Sequence, residues 1–124
     1  MQEYTVKVAS NGNQSWYQDS ELHRIDGPAV TYDNGDQCWY QNGQRHRTDG
    51  PAAIWADGSQ CWYQNGALHR TDGPAAIWAS GDQYWYLDGV EVTQEEHARR
   101  TSPAKELTVA EIEKLLGYSV KVIK

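Results

Sequence analysis

Phenylalanine is absent from this 124-residue sequence, cysteine occurs twice, and proline occurs four times. No apolar run is long enough to cross a bilayer, and the first residues lack the segments of a signal peptide or a lipid-anchor motif. These absences predict a cytoplasmic protein of one small domain, with no membrane partner. In place of phenylalanine stand six tryptophans and eight tyrosines, whose polar groups suit half-exposed positions.

Lysine is absent from residues 16–90, where ten acidic residues face four arginines. The segments on either side are each balanced, so this middle region carries the whole net charge of −6. An acidic region of this kind repels DNA, RNA and anionic lipid. The composition therefore predicts that no long nucleic acid is a partner.

A 23-residue repeat fills most of the chain. Its full copies are 16–38, 39–61 and 62–84, a partial copy begins at 85–92, and residues 7–15 match the second half of a copy. Asn-Gly, Asp-Gly or Ser-Gly turn signals recur between strand-forming segments in two sets, at 42–43, 65–66 and 88–89 and at 34–35, 57–58 and 80–81, and both sets are expected to form two-residue primed hairpin turns. Every full copy also contains a rigid Asp-Gly-Pro corner. The pattern predicts a mostly β fold over residues 1–92. We expect an antiparallel meander of hairpins with about two strands per copy and a repeat distance of about 10 Å.

Equivalent side chains should form columns along such a sheet, because successive residues of a strand point to opposite faces. One face is expected to carry the tryptophan that opens each copy, and the opposite face the tyrosine that follows it. These columns are Trp16, Trp39, Trp62 and Trp85; Tyr17, Tyr40, Tyr63 and Tyr86; and a third one of Tyr32, Trp55 and Trp78. A single-layer sheet cannot hide aromatic residues on both faces, which favours a homo-oligomer or a lid.

The pattern changes after Val92, so residues 93–124 form a separate tail. Thr93 and Glu96 have the spacing of a capping box, which predicts a short helix through about Arg100. A second capping-box spacing at Thr108, followed by an apolar stripe up to Gly117, predicts another helix. Alternation over 118–123 predicts a final strand. The tail would cover one sheet face or mediate dimerisation.

The run W-Y-x-N-G-x-x-H-R-x-D-G-P-A, at 39–52 and 62–75, resembles a variant of the MORN repeat, in particular the repeats of certain tailed-bacteriophage proteins with a tail like that at 107–118. The resemblance implies a β-hairpin array of viral origin that acts in the host cytoplasm in a binding or scaffolding role, without catalytic residues. The sequence departs from the common MORN pattern at the Arg and Asp-Gly-Pro positions. Lipid binding is therefore not expected.

The charged group that recurs in every full copy is His-Arg-x-Asp, and it has two interpretations. In the structural one, the aspartate accepts local hydrogen bonds while the arginine covers a tryptophan or pairs with the aspartate. In the functional one, the arginine fork and nearby rings bind a phosphate or carboxylate and a base. The predicted ligand-binding residues are Arg24, Arg47, Arg70, His23, His46, His69, Trp39, Trp62, Tyr40, Tyr63, Trp55 and Trp78.

No metal site, cofactor or catalytic residue is predicted. One histidine per copy, repeating at about 10 Å, cannot share an ion with the next. Cys38 and Cys61 occupy equivalent positions in adjacent copies, too far apart for a disulfide. His97 is unrepeated and has acid–base chemistry, but on a capped helix we expect it on the solvated face. Repeated copies of one polar set favour binding over catalysis, so the protein is predicted not to be an enzyme.

Three functions follow from these residues. The leading hypothesis is a phage-type, non-enzymatic protein that captures a small anionic, nucleotide-like host molecule, such as an immune signal. The second is a protein–protein inhibitor or adaptor that presents its Trp and Tyr columns to a host protein. The third is a virion or scaffold component that only folds and stacks.

Overall fold

The protein is a mostly β, antiparallel hairpin array followed by a short helix, as the repeat predicts. The computed structural model describes residues 3–102 together with Ala110, Glu111, Lys114 and Gly117. The elements of the described part are β1 Thr5–Val8, β2 Gln14–Gln18, β3 Glu21–Leu22, β4 Val30–Thr31, β5 Gln37–Cys38, β6 Tyr40–Gln41, β7 Gln44–Arg45, β8 Ala53–Ile54, β9 Gln60–Cys61, β10 Tyr63–Gln64, β11 Ala67–Leu68, β12 Ala76–Ile77, β13 Gln83–Leu87, β14 Val90–Val92 and α1 Gln94–Thr101.

Ten of these strands form one sheet in the order β1-β2-β4-β5-β8-β9-β12-β13-β14, with β3 paired to β2. The hairpins β6–β7 and β10–β11 lie beside it. We expected about two strands per copy, but the second copy has four short ones, because Trp39 interrupts one long strand and the corner interrupts the other. The small hairpins are linked in turn, since the N–H of Gly66 donates to the carbonyl of Arg45 (2.9 Å). Each copy is therefore hydrogen-bonded to its neighbours as well as within itself.

The two sets of turns differ in type. In the first set, Asn42 and Gly43 both have positive φ (52° and 78°), as a two-residue primed turn requires. In the second set only the glycine does, for example Gly35 at 98°, and the N–H of Tyr32 donates to the carbonyl of Asp36 (2.9 Å). These loops therefore have three residues and end in a left-handed glycine. The prediction of two-residue primed turns is wrong for this second set.

Small residues form the centre of one sheet face, which we call the tyrosine face. Its buried cluster consists of Val30, Cys38, Ala53, Cys61 and Ala76, against which Leu22, Tyr40, Trp55, Tyr63, Leu68 and Tyr86 pack. The third predicted column thus joins the tyrosines on this face. Both cysteines are unbridged, and Ala53 pairs with each of them from the strand between. The opposite face, the tryptophan face, carries the tryptophan that opens each copy.

Helix α1 ends the array. The hydroxyl of Thr93 accepts from the N–H of Glu96 (3.1 Å), and the N–H of Ser102 donates to the Ala98 carbonyl (3.1 Å). His97 is only 5% exposed, so the prediction of a solvated position is wrong. Its Nε2 donates to the carbonyl of Arg70 (2.6 Å), which fastens the helix to the third copy.

The second predicted helix is described at three positions, Ala110, Glu111 and Lys114, all helical. Its remaining residues other than Gly117, and the predicted strand 118–123, lie outside the described residues. In the described part of the chain, no helix has the length and apolarity needed to cross a membrane.

Candidate functional sites: the arginine corners and Arg45

Each Asp-Gly-Pro corner is closed by the arginine that precedes it. In the second copy the guanidinium carbon of Arg47 lies 4.0 Å from the centroid of the Trp39 ring. The same guanidinium donates from Nε to the carboxylate of Asp49 (2.9 Å) and from Nη1 to the carbonyl of Pro51 (3.0 Å). The arginine therefore joins the strand that carries the tryptophan to both ends of the corner.

The other two full copies repeat this geometry. Arg24 lies 3.8 Å from the Trp16 ring and Arg70 lies 3.9 Å from the Trp62 ring. Their Nε atoms reach Asp26 at 3.0 Å and the corresponding aspartate of the third copy at 2.8 Å. In every full copy the arginine thus holds the corner closed through hydrogen bonds to the aspartate and to the proline carbonyl.

The glycine of the corner is required by this close approach. A Cβ built on Gly50 would lie 3.0 Å from the guanidinium carbon of Arg47, and one on Gly27 would lie 2.9 Å from that of Arg24. A side chain at this position would push the arginine off its tryptophan. The motif therefore combines glycine and arginine for a packing reason.

The repeated histidines join each copy to the next. The Nδ1 atom of His46 accepts the backbone N–H of Asn65 (3.0 Å), and that of His23 accepts the N–H of Asn42 (3.0 Å). His69 makes the same bond to Asp88 (2.9 Å). A ring nitrogen that accepts carries no proton, so these contacts select the tautomer protonated on Nε2.

The contacts of the repeated His-Arg-x-Asp group are those of the structural interpretation. The side chain of Arg47 is 23% exposed, whereas that of Asp49 is 82% exposed. The hydrogen bond from the arginine holds the pKa of the Asp49 carboxyl below its usual value, and the same holds for Asp26 and Asp72. At neutral pH the corners thus present ionised carboxylates to solvent and keep their guanidiniums largely covered. Ligand binding by these arginines and histidines stays a prediction.

Arg45 on the tyrosine face is the arginine that the sequence analysis did not select. Its Nε donates to the hydroxyl of Tyr40 (3.3 Å) and its Nη1 to the hydroxyl of Tyr63 (3.4 Å). The guanidinium carbon lies 5.3 Å from the Tyr63 ring centroid, 5.7 Å from that of Trp55 and 6.0 Å from that of Tyr40. Leu22 and Leu68 occupy the equivalent positions of the neighbouring copies. This departure from the repeat was the available sequence signal.

Arg45 differs from the corner arginines in its electrostatic environment. Within residues 3–102, no carboxylate forms an ion pair with it, in contrast to Arg47 and its equivalents. Burial by itself would lower the pKa of Arg45, but the hydrogen bonds to Tyr40 and Tyr63, together with charge interactions with Tyr40 and Cys38, outweigh burial and raise it. Burial also raises the pKa of the nearby Cys38 thiol, so this sulfur stays neutral. A half-buried cation surrounded by aromatic rings is suited to hold an anion.

The structure separates the predicted ligand-binding residues into three groups. Tyr40, Trp55 and Tyr63 surround Arg45, and the 42%-exposed Trp78 lies farther along their column. On the opposite face, Arg47, Trp62, His69 and Arg70 line a hollow of about 570 Å³ between the second and third corners. The remaining predicted residues make the corner and histidine contacts of the first two copies. They are Arg24, His23, Trp39 and His46.

Comparisons with protein-family models, curated proteins and solved structures find no match for this chain. The resemblance to MORN repeats of tailed bacteriophages therefore stays a prediction. Among the described residues, no three His, Cys, Asp or Glu side chains are grouped closely enough to hold a metal ion.

Proposed function

We propose that this is a non-enzymatic binding protein whose ligand is a small, nucleotide-like anion held on the tyrosine face by Arg45. The observation that carries the proposal is the position of this guanidinium, which is surrounded by three aromatic rings and has no carboxylate partner among residues 3–102. Arginine recognises phosphate through its planar fork, and exposed aromatic rings offer stacking surfaces to a base. A nucleotide presents both groups.

The repeated arginines support this location indirectly. Arg24, Arg47 and Arg70 use Nε and Nη1 for hydrogen bonds within their own corners. An anion that approaches these arginines meets the corner carboxylates, which are about four-fifths exposed. Arg45 meets hydroxyl groups and rings instead. An anion therefore loses less to repulsion on the tyrosine face. Following the resemblance to phage repeats, we place the ligand in the cytoplasm of an infected cell.

The test is calorimetric titration of cyclic and linear nucleotides into the wild-type protein and into Arg45→Leu. The substitution installs the residue that the flanking copies carry at Leu22 and Leu68, so the fold is expected to tolerate it. Loss of a charged hydrogen-bonding group predicts affinity lower by roughly ten- to a hundredfold. Arg99→Leu, on the solvated side of α1, serves as the charge-matched control. Absence of binding by every nucleotide, or equal affinity for Arg45→Leu, would contradict the proposal.

A second candidate is an adaptor that binds an acidic site on a host protein with the same face. The observation that favours it is the exposure of Tyr32 (38%) and Trp78 (42%) along the column on either side of Trp55. Tyrosine, tryptophan and arginine are the residues that dominate protein interfaces. A partner retained by the wild-type protein and not by Arg45→Leu, and then reconstituted in pure form at fixed stoichiometry, would support this candidate. A homo-oligomer formed through this face would appear instead as a change in mass by sedimentation.

A further inference from the structure

A second, chemically different surface lies on the tryptophan face, in the hollow between the corners at 47–51 and 70–74. Its volume is about 570 Å³, within the range of small-molecule sites. Its lining residues include Trp62 and, from the two corners, Thr48, Asp49, Thr71 and Asp72. The hollow is on the face opposite Arg45, so the two surfaces are independent.

The charges that line the hollow cancel. Arg47 and Arg70 are each bonded to their own aspartate, at 2.9 and 2.8 Å, so the two positive and two negative groups form two closed pairs. An anion would be repelled by the exposed carboxylates, and a cation would gain little because each carboxylate is already paired with its own guanidinium. A neutral ligand needs no unpaired charge in the site. The charges of this hollow therefore disfavour the nucleotide-like ligand and favour an uncharged one.

The hollow also contains polar groups that are not used by the fold. Within the described part of the chain, the hydroxyls of Thr48 and Thr71 and the amide of Gln64 make no hydrogen bond to protein atoms, and one oxygen of the Asp49 carboxylate has no protein donor. Together they offer donors and acceptors to a ligand that has both. A molecule rich in hydroxyl groups satisfies these requirements, and its C–H edges can pack on the part of the Trp62 ring that Arg70 does not cover.

We propose that this hollow binds a saccharide, through the hydroxyls of Thr48 and Thr71, the amide of Gln64 and the outer carboxylate oxygens, with one sugar ring against Trp62. The equivalent hollow between the first and second corners is smaller, at about 340 Å³, and has the apolar Ile25 at the threonine position. The first copy is thus an internal comparison in which the hydroxyl is missing. The saccharide site is expected where threonine occurs on both sides.

The experiment is ligand-observed NMR and calorimetry with a panel of glucose, maltose, cellobiose, N-acetylglucosamine and chitobiose. The double variant Thr48→Ile/Thr71→Ile copies the first repeat, and Gln64→Leu copies Leu87 of the partial fourth copy, so each substitution uses a residue that the array already carries at that position. We expect binding of at least one disaccharide by the wild-type protein, and affinity at least about tenfold lower for each variant that thermal unfolding shows to be folded.

Arg45→Leu separates this proposal from the previous one. We expect this substitution to leave saccharide binding unchanged and to weaken nucleotide binding on the tyrosine face. Failure of nucleotide binding alone leaves the saccharide result standing, and the reverse also holds. The proposal is overturned if no saccharide of the panel binds at millimolar concentration, or if a folded Thr48→Ile/Thr71→Ile protein and Gln64→Leu bind as tightly as the wild type.

Discussion

The guanidinium carbon of Arg47 lies 4.0 Å from the centroid of the Trp39 ring, and the same guanidinium donates hydrogen bonds to Asp49 and Pro51 at the two ends of the corner. The fold depends on this relationship because seven residues, 46–52, separate β7 from β8, the two parts of an interrupted strand. Arginine closes this segment with an aromatic contact, a carboxylate and a carbonyl at once. The arginine of the His-Arg-x-Asp group, which the sequence predicts to bind a ligand, therefore stabilises the corner of its own copy.

Gly50→Ala is expected to destabilise the protein by roughly 1–2 kcal/mol, because the new methyl group would lie 3.0 Å from the guanidinium carbon of Arg47. The cost should largely disappear in an Arg47→Ala background, where nothing is displaced. Chemical denaturation of the two single variants and the double variant measures this coupling as a double-mutant cycle. Additive effects would show that the close approach does not matter.

Stability is expected to fall in acid because of the corner aspartates. Hydrogen bonds from arginine hold the pKa values of Asp26, Asp49 and Asp72 below their ordinary value of 3.8. A folded pKa below the unfolded one gives stabilisation that is complete above the unfolded value and is lost as the pH falls through the folded value. The contribution of these three aspartates to the unfolding free energy should therefore be constant above roughly pH 5 and decline below about pH 4.

The variant Asp26→Asn/Asp49→Asn/Asp72→Asn checks the origin of this acid limb. Urea denaturation at pH 7 and at pH 3 should show a smaller difference for the triple variant than for the wild type. Arg47→Ala should reduce the difference in the same direction, because it removes the donor to Asp49. If the difference in stability between pH 7 and pH 3 is unchanged in both variants, other carboxyl groups cause the loss of stability in acid.

His97→Leu should release helix α1 from the array. The substitution leaves the Arg70 carbonyl without the donor that lies 2.6 Å away in the wild type, and an unsatisfied buried carbonyl costs roughly 1–3 kcal/mol. Hydrogen exchange is expected to accelerate in residues 94–101 and to stay slow in the second copy. Arg99→Leu on the same helix is the control. Uniform acceleration over the whole chain would indicate that the helix and the array unfold together.

Removal of one complete copy, residues 39–61, is expected to leave a folded array. The deletion joins Cys38 to Trp62, and Arg24 and Arg70 keep their own tryptophans. Because each copy mainly contacts its neighbours, the shorter protein should unfold with a lower midpoint and a smaller denaturant slope. Circular dichroism and urea titration test this. Deletion of 39–49 alone breaks the period and should abolish folding, so similar stability of the two deletions would contradict the repeat-wise assembly.

The capping box of Thr93 and Glu96 was sufficient to predict the start of α1. Periodicity was sufficient to predict the β-hairpin array and its two faces, since both follow from local turn chemistry and from alternation. It was insufficient for the second turn set, where Gly35 and its equivalents alone take positive φ and the loop gains a residue. It also misplaced His97, because the side of a helix that meets the array depends on packing and not on capping residues.

The candidate anion site shows a different reason for failure. The search for recurring residues selected Arg24, Arg47 and Arg70, which recur because every copy needs the same fastening. Arg45 occurs once, so recurrence does not identify it. Leu22 and Leu68 occupy its position in the neighbouring copies, which shows that the repeat itself does not require an arginine there. Only the side-chain contacts distinguish an arginine bound to its own carboxylate from one without such a partner.

The histidine bond from each copy to the turn of the following one has a consequence for how such a chain evolves. The joint uses the same atoms at every boundary, so a duplicated unit fits its neighbours from its first appearance. Copy number can change without new interfaces having to arise. A single unit can then carry an unusual side chain, as the second copy does at Arg45, while the units beside it keep the scaffold intact.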